Sequence, residues 1–542
     1  MSDAPTDLHR RLTPPVPAPF PPPGARADPG DLDNLRADLE ATAYTPDGVA
    51  NFLGERAGAA LHREEPLPAR RRIVAQPGAI ATVIALLTLG DAVDVDQVAR
   101  AFPRTGPDGL DRLGLLAWPA DGRGRSRVTS SCDLRPYGDE THAWWVASDL
   151  GELATEAPLH PEHVLGVGGA SATLASWTPR PPATRALDLG TGCGVQALHL
   201  HSHCTHVVAT DISPRALEFA AFNAALAGQD WDLRRGDLLE PVAGERFDLI
   251  VSNPPFVITP RRRDVPRYTY RDGGERGDAL VRRLVRGIGE HLAPGGIAHF
   301  LGNWEVQRGQ DWRDVWSEWL DGACSGGDRL DALVVQREVQ DPCEYAQTWA
   351  RDGGHRPGTP AYRALLEAWL DDFEVRGVES IGFGVITLSR SPAGVPGVDD
   401  GRAPRPGRVD LIDHHGPVVA PMGPWILDAV HARRWLAKAG APGILERRWV
   451  YADDVTTHTY GRPGDPDPSL MTVRSGTGLR RDVRLDQVLA AFASVCDGEL
   501  TARAALHAIA AVLHRPAADV IAGALAGIEG QIADGLLRPW EE

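Results

Sequence analysis

The chain has 542 residues, more than one ordinary core organises, so two to four domains are expected. Its 56 Lys and Arg stand against 73 Asp and Glu, and the net charge of −17 argues against a protein that coats nucleic acid or a membrane surface with positive charge. The six cysteines (Cys132, Cys193, Cys204, Cys324, Cys343, Cys496) include no Cys-x-x-Cys pair, which speaks against a disulfide framework or a thiolate zinc site and fits a reducing cytoplasm.

Residues 1–30, with Pro14, Pro15, Pro17, Pro19 and Pro21 to Pro23, are too rich in proline and too poor in large apolar side chains to pack, and read as a disordered lead. A helical pattern begins near Leu32, and residues 31–157 read as an accessory α+β domain. Ala79–Leu89, Val95–Phe102 and Leu110–Leu116 predict three short helices, and Arg127–Leu134 and Ala143–Ser148 predict strands. This set could form a winged-helix-like arrangement, or a helical dimerisation or lid domain. The longest apolar run, Ala79–Leu89, is too short to span a bilayer, and no basic-then-apolar leader opens the chain. A cytoplasmic protein without membrane association is expected.

Residues 158–390 read as an α/β domain. His163–Thr173 is a glycine-rich segment, either an interdomain hinge or a cover over a ligand that Ser171 and Thr173 could touch. Asp188 ends a short apolar strand, and Asp188-Leu189-Gly190-Thr191-Gly192-Cys193-Gly194 then opens a helix from Val195 to about His201. Glycine lets the backbone close on a ligand, and the helix N-terminus offers N–H groups and positive dipole. The spacing is Gly-x-Gly-x-Gly and not Gly-x-Gly-x-x-Gly, which suits a nucleoside ligand lacking a pyrophosphate. A second strand, Val207–Thr210, ends on Asp211, placed to take two ribose hydroxyls. Ser213 and Pro214 then start a helix that Gly228 stops. A third strand runs into Asp237, which either accepts an adenine amino group or is a solvated turn residue. A fourth, Phe247–Val251, stops at Asn253-Pro254-Pro255-Phe256.

In a doubly wound sheet all four strand ends share the ligand-binding edge. The lone pair of an amide or adenine nitrogen is delocalised, so a catalyst must orient it. The Asn253 side-chain oxygen and the Pro254 carbonyl can each accept one N–H, and Phe256 offers a face for stacking. These motifs resemble those of class I S-adenosylmethionine-dependent methyltransferases of the HemK/PrmC-like, small-domain kind, over about residues 160–300. The resemblance implies a seven-stranded Rossmann-like sheet. It implies a cofactor held by Asp188, Gly190, Thr191, Gly192, Gly194, Asp211, Asp237 and Asn253, and an acceptor held by Asn253, Pro254, Pro255 and Phe256. Phe256 stands where the glutamine methyltransferases usually carry Tyr, and Phe is common in the ribosomal-RNA guanine enzymes.

Arg261 to Arg271, with five arginines and Tyr268 and Tyr270, is basic and aromatic in an acidic chain, and could meet phosphates, bases or an acidic protein surface. Asp272 to Asp278 and Leu280 to Leu292 resemble the turn and helix that follow the acceptor motif in the glutamine branch. A fifth strand is expected at Ile297–Leu301. Leu330–Val335 and Ile381–Leu388, with the helix Ala361–Phe373 between them, complete the seven. His199, His201, His203, Cys204 and His206 have no second cluster to complete a shell, so no metal is expected. Residues 391–409 read as a linker, and 410–542 as a mainly helical accessory domain that could also be winged-helix-like.

The function expected is methyl transfer from S-adenosylmethionine to a planar amine, with a protein glutamine as the first acceptor. An exocyclic amine of RNA or DNA (N6 of adenine or N2 of guanine) is the alternative. A non-catalytic, cofactor-binding scaffold is a third reading. The oligomeric state is not legible.

Overall fold

The computed structural model describes residues 19–24, 27–118, 126–155, 159–262, 265–321, 323, 330–391, 407–464 and 468–541. Most of the proline-rich lead and of the expected linker (392–406) lies outside the described residues.

The N-terminal module runs helix, strand, helix, helix, strand, strand. Ala79–Val83 continues into the wide turn Ile84–Thr88, and Val93–Asp94, Val95–Ala101, Gly106–Arg112, Leu116–Ala117 and Arg127–Ser130 follow. The last strand lies between the other two, with Val93 opposite Val128 and Leu116 opposite Ser130. This is winged-helix topology. The third helix starts at Gly106 and ends before Leu116, because a proline sits in its first turn and Gly114, at φ 76°, breaks it. The helix Pro29–Ala41 packs over it. Asp31 pairs with Arg112 at 2.6 Å, and Asp38 accepts the Thr105 N–H at 2.8 Å. Gly109 and Leu110 of that third helix are buried, whereas Asp108, Asp111 and Arg112 stay exposed. The expected strand Arg127–Leu134 is divided: its end belongs to Asp133–Gly138, a hairpin with Ala143–Ser148.

The central sheet has eight strands: β1 (Ala183–Leu189), β2 (Cys204–Asp211), β3 (Asp232–Arg235), β4 (Phe247–Ser252), β5 (Leu292–Gln307), β6 (Leu330–Gln340), β7 (Val378–Arg390) and β8 (Val409–Asp413). Their order is 3-2-1-4-5-7-6-8, parallel except for β7, which is antiparallel to both β5 and β6. The seven expected strands are present. The eighth extends the edge by pairing parallel to β6, with Ala332 opposite Val409. The cores of β1 and β4 are buried on both faces, as their apolar runs require. Helix α1 (Val195–His201) follows β1, and α2 (Pro214–Ala227) follows β2 with Ser213 as its N-cap. Helices α3 (Pro342–Asp352) and α4 (Pro360–Arg376) are inserted between β6 and β7.

The N-terminal module is fastened to α2. The Asn223 side chain accepts the Ala147 N–H at 2.8 Å and donates to the carbonyls of Ala147 (2.9 Å) and Cys193 (2.8 Å). Arg36 donates to the carbonyls of Ala225 and Leu226 at 2.8 Å each.

In the C-terminal part, Gln487–Ser494, Asp497–Thr501, Ala502–Val512, Ala517–Ala533 and Leu537–Pro539 repeat the helix–strand–helix–helix–strand path. The central strand of that small sheet, Arg448–Tyr451, comes from upstream in the chain. A buried Arg433 donates to Asp410 of β8 at 2.6 Å and ties this module to the central sheet. No helix among the described residues is long and apolar enough to cross a membrane.

Candidate active site

Because β1 to β4 are parallel, Asp188, Asp211, Asp237 and Asn253 leave the sheet at one edge. A cavity of about 360 Å³ opens there, lined by Gly190, Thr191, Gly192, Asp211, Asp237, Asn253 and Pro255 among others. Asp211 is braced on both oxygens: it accepts the Gly192 N–H at 2.9 Å and the Ser213 N–H at 2.8 Å. Burial raises its pKa above the ordinary aspartate value. Asp237 lines the cavity and pairs with Arg283 at 3.1 Å.

Asp188 lies elsewhere. It sits beneath the loop, outside the cavity lining, and accepts the Thr191 hydroxyl at 2.6 Å and the Ala197 N–H at 3.0 Å. It shapes the glycine loop. Burial, with the like charge of Asp211 adding to it, pushes this carboxyl up to about 7 against the pull of those two hydrogen bonds. The folded value exceeds the unfolded 3.8, so this group's contribution to stability is full below 3.8 and is lost as pH rises through 7. Asp188→Asn cannot titrate. Relative to that variant, the wild-type melting temperature should fall between about pH 4 and 7 and level off above that; parallel curves would remove the buried titration.

Gly194 starts α1 at φ 94°, and a Cβ there would lie 2.5 Å from the Trp231 ring. Gly194→Ala should cost about 2–4 kcal/mol, from the left-handed backbone plus displacement of the ring. It should lower the melting temperature and weaken cofactor binding; an unchanged melt would show the ring can yield freely. An added Cβ at Gly190 or Gly192 meets nothing within 4 Å, so the loop leaves open space above itself for a ligand.

On the acceptor side, the Ser252 hydroxyl donates to the Leu189 carbonyl at 2.7 Å, which locks β4 to the start of the glycine loop. The Asn253 amide faces Ser171 at 3.5 Å, and both line the cavity. Thr173, in contrast, is exposed and outside the lining. Pro254 is buried, and among the described residues no donor reaches its carbonyl. Phe256 is not in the cavity wall. It packs edge-on against Trp349, with ring centroids 6.3 Å apart, and lines a narrow side cleft with Pro255 and Leu280.

The strap that follows is mounted on the inserted helices. The Ile258 N–H donates to the Tyr345 hydroxyl at 2.8 Å, and Trp369 Nε1 donates to the Ile258 carbonyl at 2.7 Å. Arg271 is buried, paired with Asp352 and donating to the Trp349 carbonyl at 3.0 Å. It stacks on Tyr268 at 4.6 Å. Arg271 is therefore structural. Arg261, Arg267, Tyr268, Thr269 and Tyr270 form the cavity wall, and buried His163 faces Tyr270 across it. The sequence reading missed Tyr345, Trp349 and Asp352. Their one local signal is Asp341 before Pro342, an N-cap followed by a first-turn proline.

A 3-2-1-4-5 parallel sheet with an antiparallel strand between the fifth and sixth, a glycine loop after the first strand and acidic groups after the next two, is a class I methyltransferase domain. Residues 166–309 match the family model of the methyltransferase small domain, and residues 41–127 match a domain of unknown function (DUF7059). The chain is 36% identical over 173 residues to the ribosomal protein uL3 glutamine methyltransferase of Bradyrhizobium diazoefficiens, covering 30% of this chain and 54% of that one. It is 39% identical over 128 residues to the release factor glutamine methyltransferase of Koribacter versatilis, covering 22% and 46%. The chain thus spans about half the length of these curated relatives. A solved methyltransferase from Pyrococcus furiosus aligns at 16% identity and a TM-score of 0.26, over 43% of this chain and 87% of that one. This domain resembles the S-adenosylmethionine-dependent methyltransferases of the HemK/PrmC-like branch.

Proposed function

We propose that this chain is a cytoplasmic enzyme that methylates the side-chain amide of a glutamine in a protein, using S-adenosylmethionine. The observation that carries the reading is the placement of Asn253 and residues Gly190 to Cys193 of the glycine loop on the wall of one cavity. The two relatives described above support the choice of glutamine, since each is named for it. One feature speaks against a nucleic-acid base: Phe256 is turned onto Trp349, away from the cavity where a base would stack.

Asp211 would hold the ribose hydroxyls, Asp237 the adenine edge, and the glycine loop the remainder of the cofactor, for which the open space above Gly190 and Gly192 is suited. Bound there, the cofactor supplies a methyl group on a positively charged sulfur. Asn253 Oδ1 and the Pro254 carbonyl accept the two N–H bonds of the carboxamide and so turn its nitrogen lone pair toward the methyl. No general base is needed before transfer, because the proton is lost to water once the alkylated nitrogen is cationic. His163–Gly166 and the strap line the cavity beside the joint.

Incubation with radiolabelled cofactor and cell extract tests the acceptor. Label that survives nuclease but not protease, and that acid hydrolysis releases as methylamine, is expected. Label lost to nuclease would reassign the acceptor to a base.

A further inference from the structure

The cavity wall opposite the glycine loop carries Arg261, Arg267 and Asp272. Arg261 and Asp272 lie 3.4 Å apart and neutralise one another, and Arg261 also donates to the Gly274 carbonyl. Arg267 makes no hydrogen bond or ion pair among the described residues. The chain has a net charge of −17, and the arginines around Arg267 are matched: Arg262 with Asp371, Arg271 with Asp352, Arg283 with Asp237. Glu162 lines the same cavity and forms no pair with Arg267 among the described residues.

The backbone that carries Arg267 is fixed. Two residues on, the Thr269 N–H donates to the Pro161 carbonyl at 2.9 Å. Four residues on, Arg271 is held by the inserted helix α3. The charge of Arg267 is felt by Asp272 but no carboxylate clamps it among the described residues, so a forked cation with free donors stands on the wall of the cavity that Asn253 also lines.

We propose that Arg267 is a specificity-determining contact that binds a carboxylate on the acceptor protein, carried by a residue that flanks the methylated glutamine. The proposal rests on the glutamine function above. Matching charge at the mouth selects the partner and its register, and adds to binding of the acceptor without entering the transfer step.

The test uses the full chain, saturated with S-adenosylhomocysteine, and three fluorescent nonapeptides with a central glutamine flanked by Asp, Ser or Lys. Anisotropy should show the Asp peptide binding at least about tenfold tighter than the Ser peptide, and the Lys peptide weakest. Arg267→Ala should bring the Asp and Ser peptides within about twofold of each other, Arg267→Lys should keep part of the preference, and affinity for S-adenosylhomocysteine should be unchanged in both. Equal binding of the three peptides, or binding of none, overturns the proposal. So does loss of S-adenosylhomocysteine in Arg267→Ala, which would give this arginine to the cofactor's own carboxylate. Tighter binding of a nine-nucleotide RNA, lost in the same variant, would give it to a phosphate. Label found only in nucleic acid in the extract assay ends the glutamine reading itself, whereas protein label with flank-indifferent peptides ends only the role of Arg267.

Discussion

Asn253→Ala is expected to reduce the rate of methyl transfer by about 10²–10³-fold or more while leaving the cofactor's dissociation constant within about threefold of wild type. The carboxamide nitrogen keeps its lone pair in conjugation unless both N–H bonds are engaged and the plane is turned, and Asn253 supplies the one side-chain acceptor for that at the end of β4. The loss corresponds to about 3–4 kcal/mol of transition-state stabilisation. Cofactor binding should survive because the loop that would hold it is braced elsewhere, by Asp188 on Thr191 and Ala197 and by Asp211 on Gly192. Among the described residues the Asn253 side chain makes only one long hydrogen bond, 3.5 Å to Ser171. Single-turnover kinetics with calorimetric titration of the cofactor separates the two quantities. A variant that loses cofactor as severely as rate would show that Asn253 belongs to the cofactor site and not to the acceptor.

The parts of this site that were legible in the sequence are those fixed by a few consecutive residues. A buried strand such as Phe247–Val251 announces itself as an apolar run, and two prolines fix where it must stop. Ser213-Pro214 and Gly228 mark the ends of α2 in the same local way. What failed depended on partners far away in the chain. Phe256 was expected to stack on the acceptor, yet it rests on Trp349, which arrives from an inserted helix the sequence reading had passed over. Asp188 was expected at the ligand, but a strand-end carboxylate can turn inward, and the Thr191 hydroxyl and the Ala197 N–H capture it there. Arg271 looked like part of a basic patch until Asp352 was placed beside it. The strand β8 is five residues with no periodic signal of their own, and only the open edge of β6 makes them a strand.

Asp211→Ala is expected to weaken cofactor binding by about a hundredfold, near 3 kcal/mol, while chemistry at saturating cofactor stays comparatively intact. Two hydrogen bonds from ribose hydroxyls to a carboxylate are charge-assisted and stronger than neutral ones. The same carboxylate also sets the position of the Gly192 and Ser213 N–H groups, so its removal loosens the floor of the site as well as its contact with the ligand. Asp211→Asn divides these roles. An amide retains one acceptor oxygen and can keep one of the two backbone bonds, so it should fall between wild type and Ala. The carboxylate must be ionised to accept both hydroxyls, and burial makes it take up a proton at a higher pH than an exposed aspartate would. Cofactor affinity should therefore decline as pH is lowered toward the acid range, sooner than an ordinary aspartate would dictate, and Asp211→Asn should not share that decline. Calorimetry across pH, with circular dichroism to confirm that the variants remain folded, decides it. If Asp211→Asn binds as tightly as wild type at neutral pH, charge at this position is unimportant and the ribose is held by something else on that edge of the sheet.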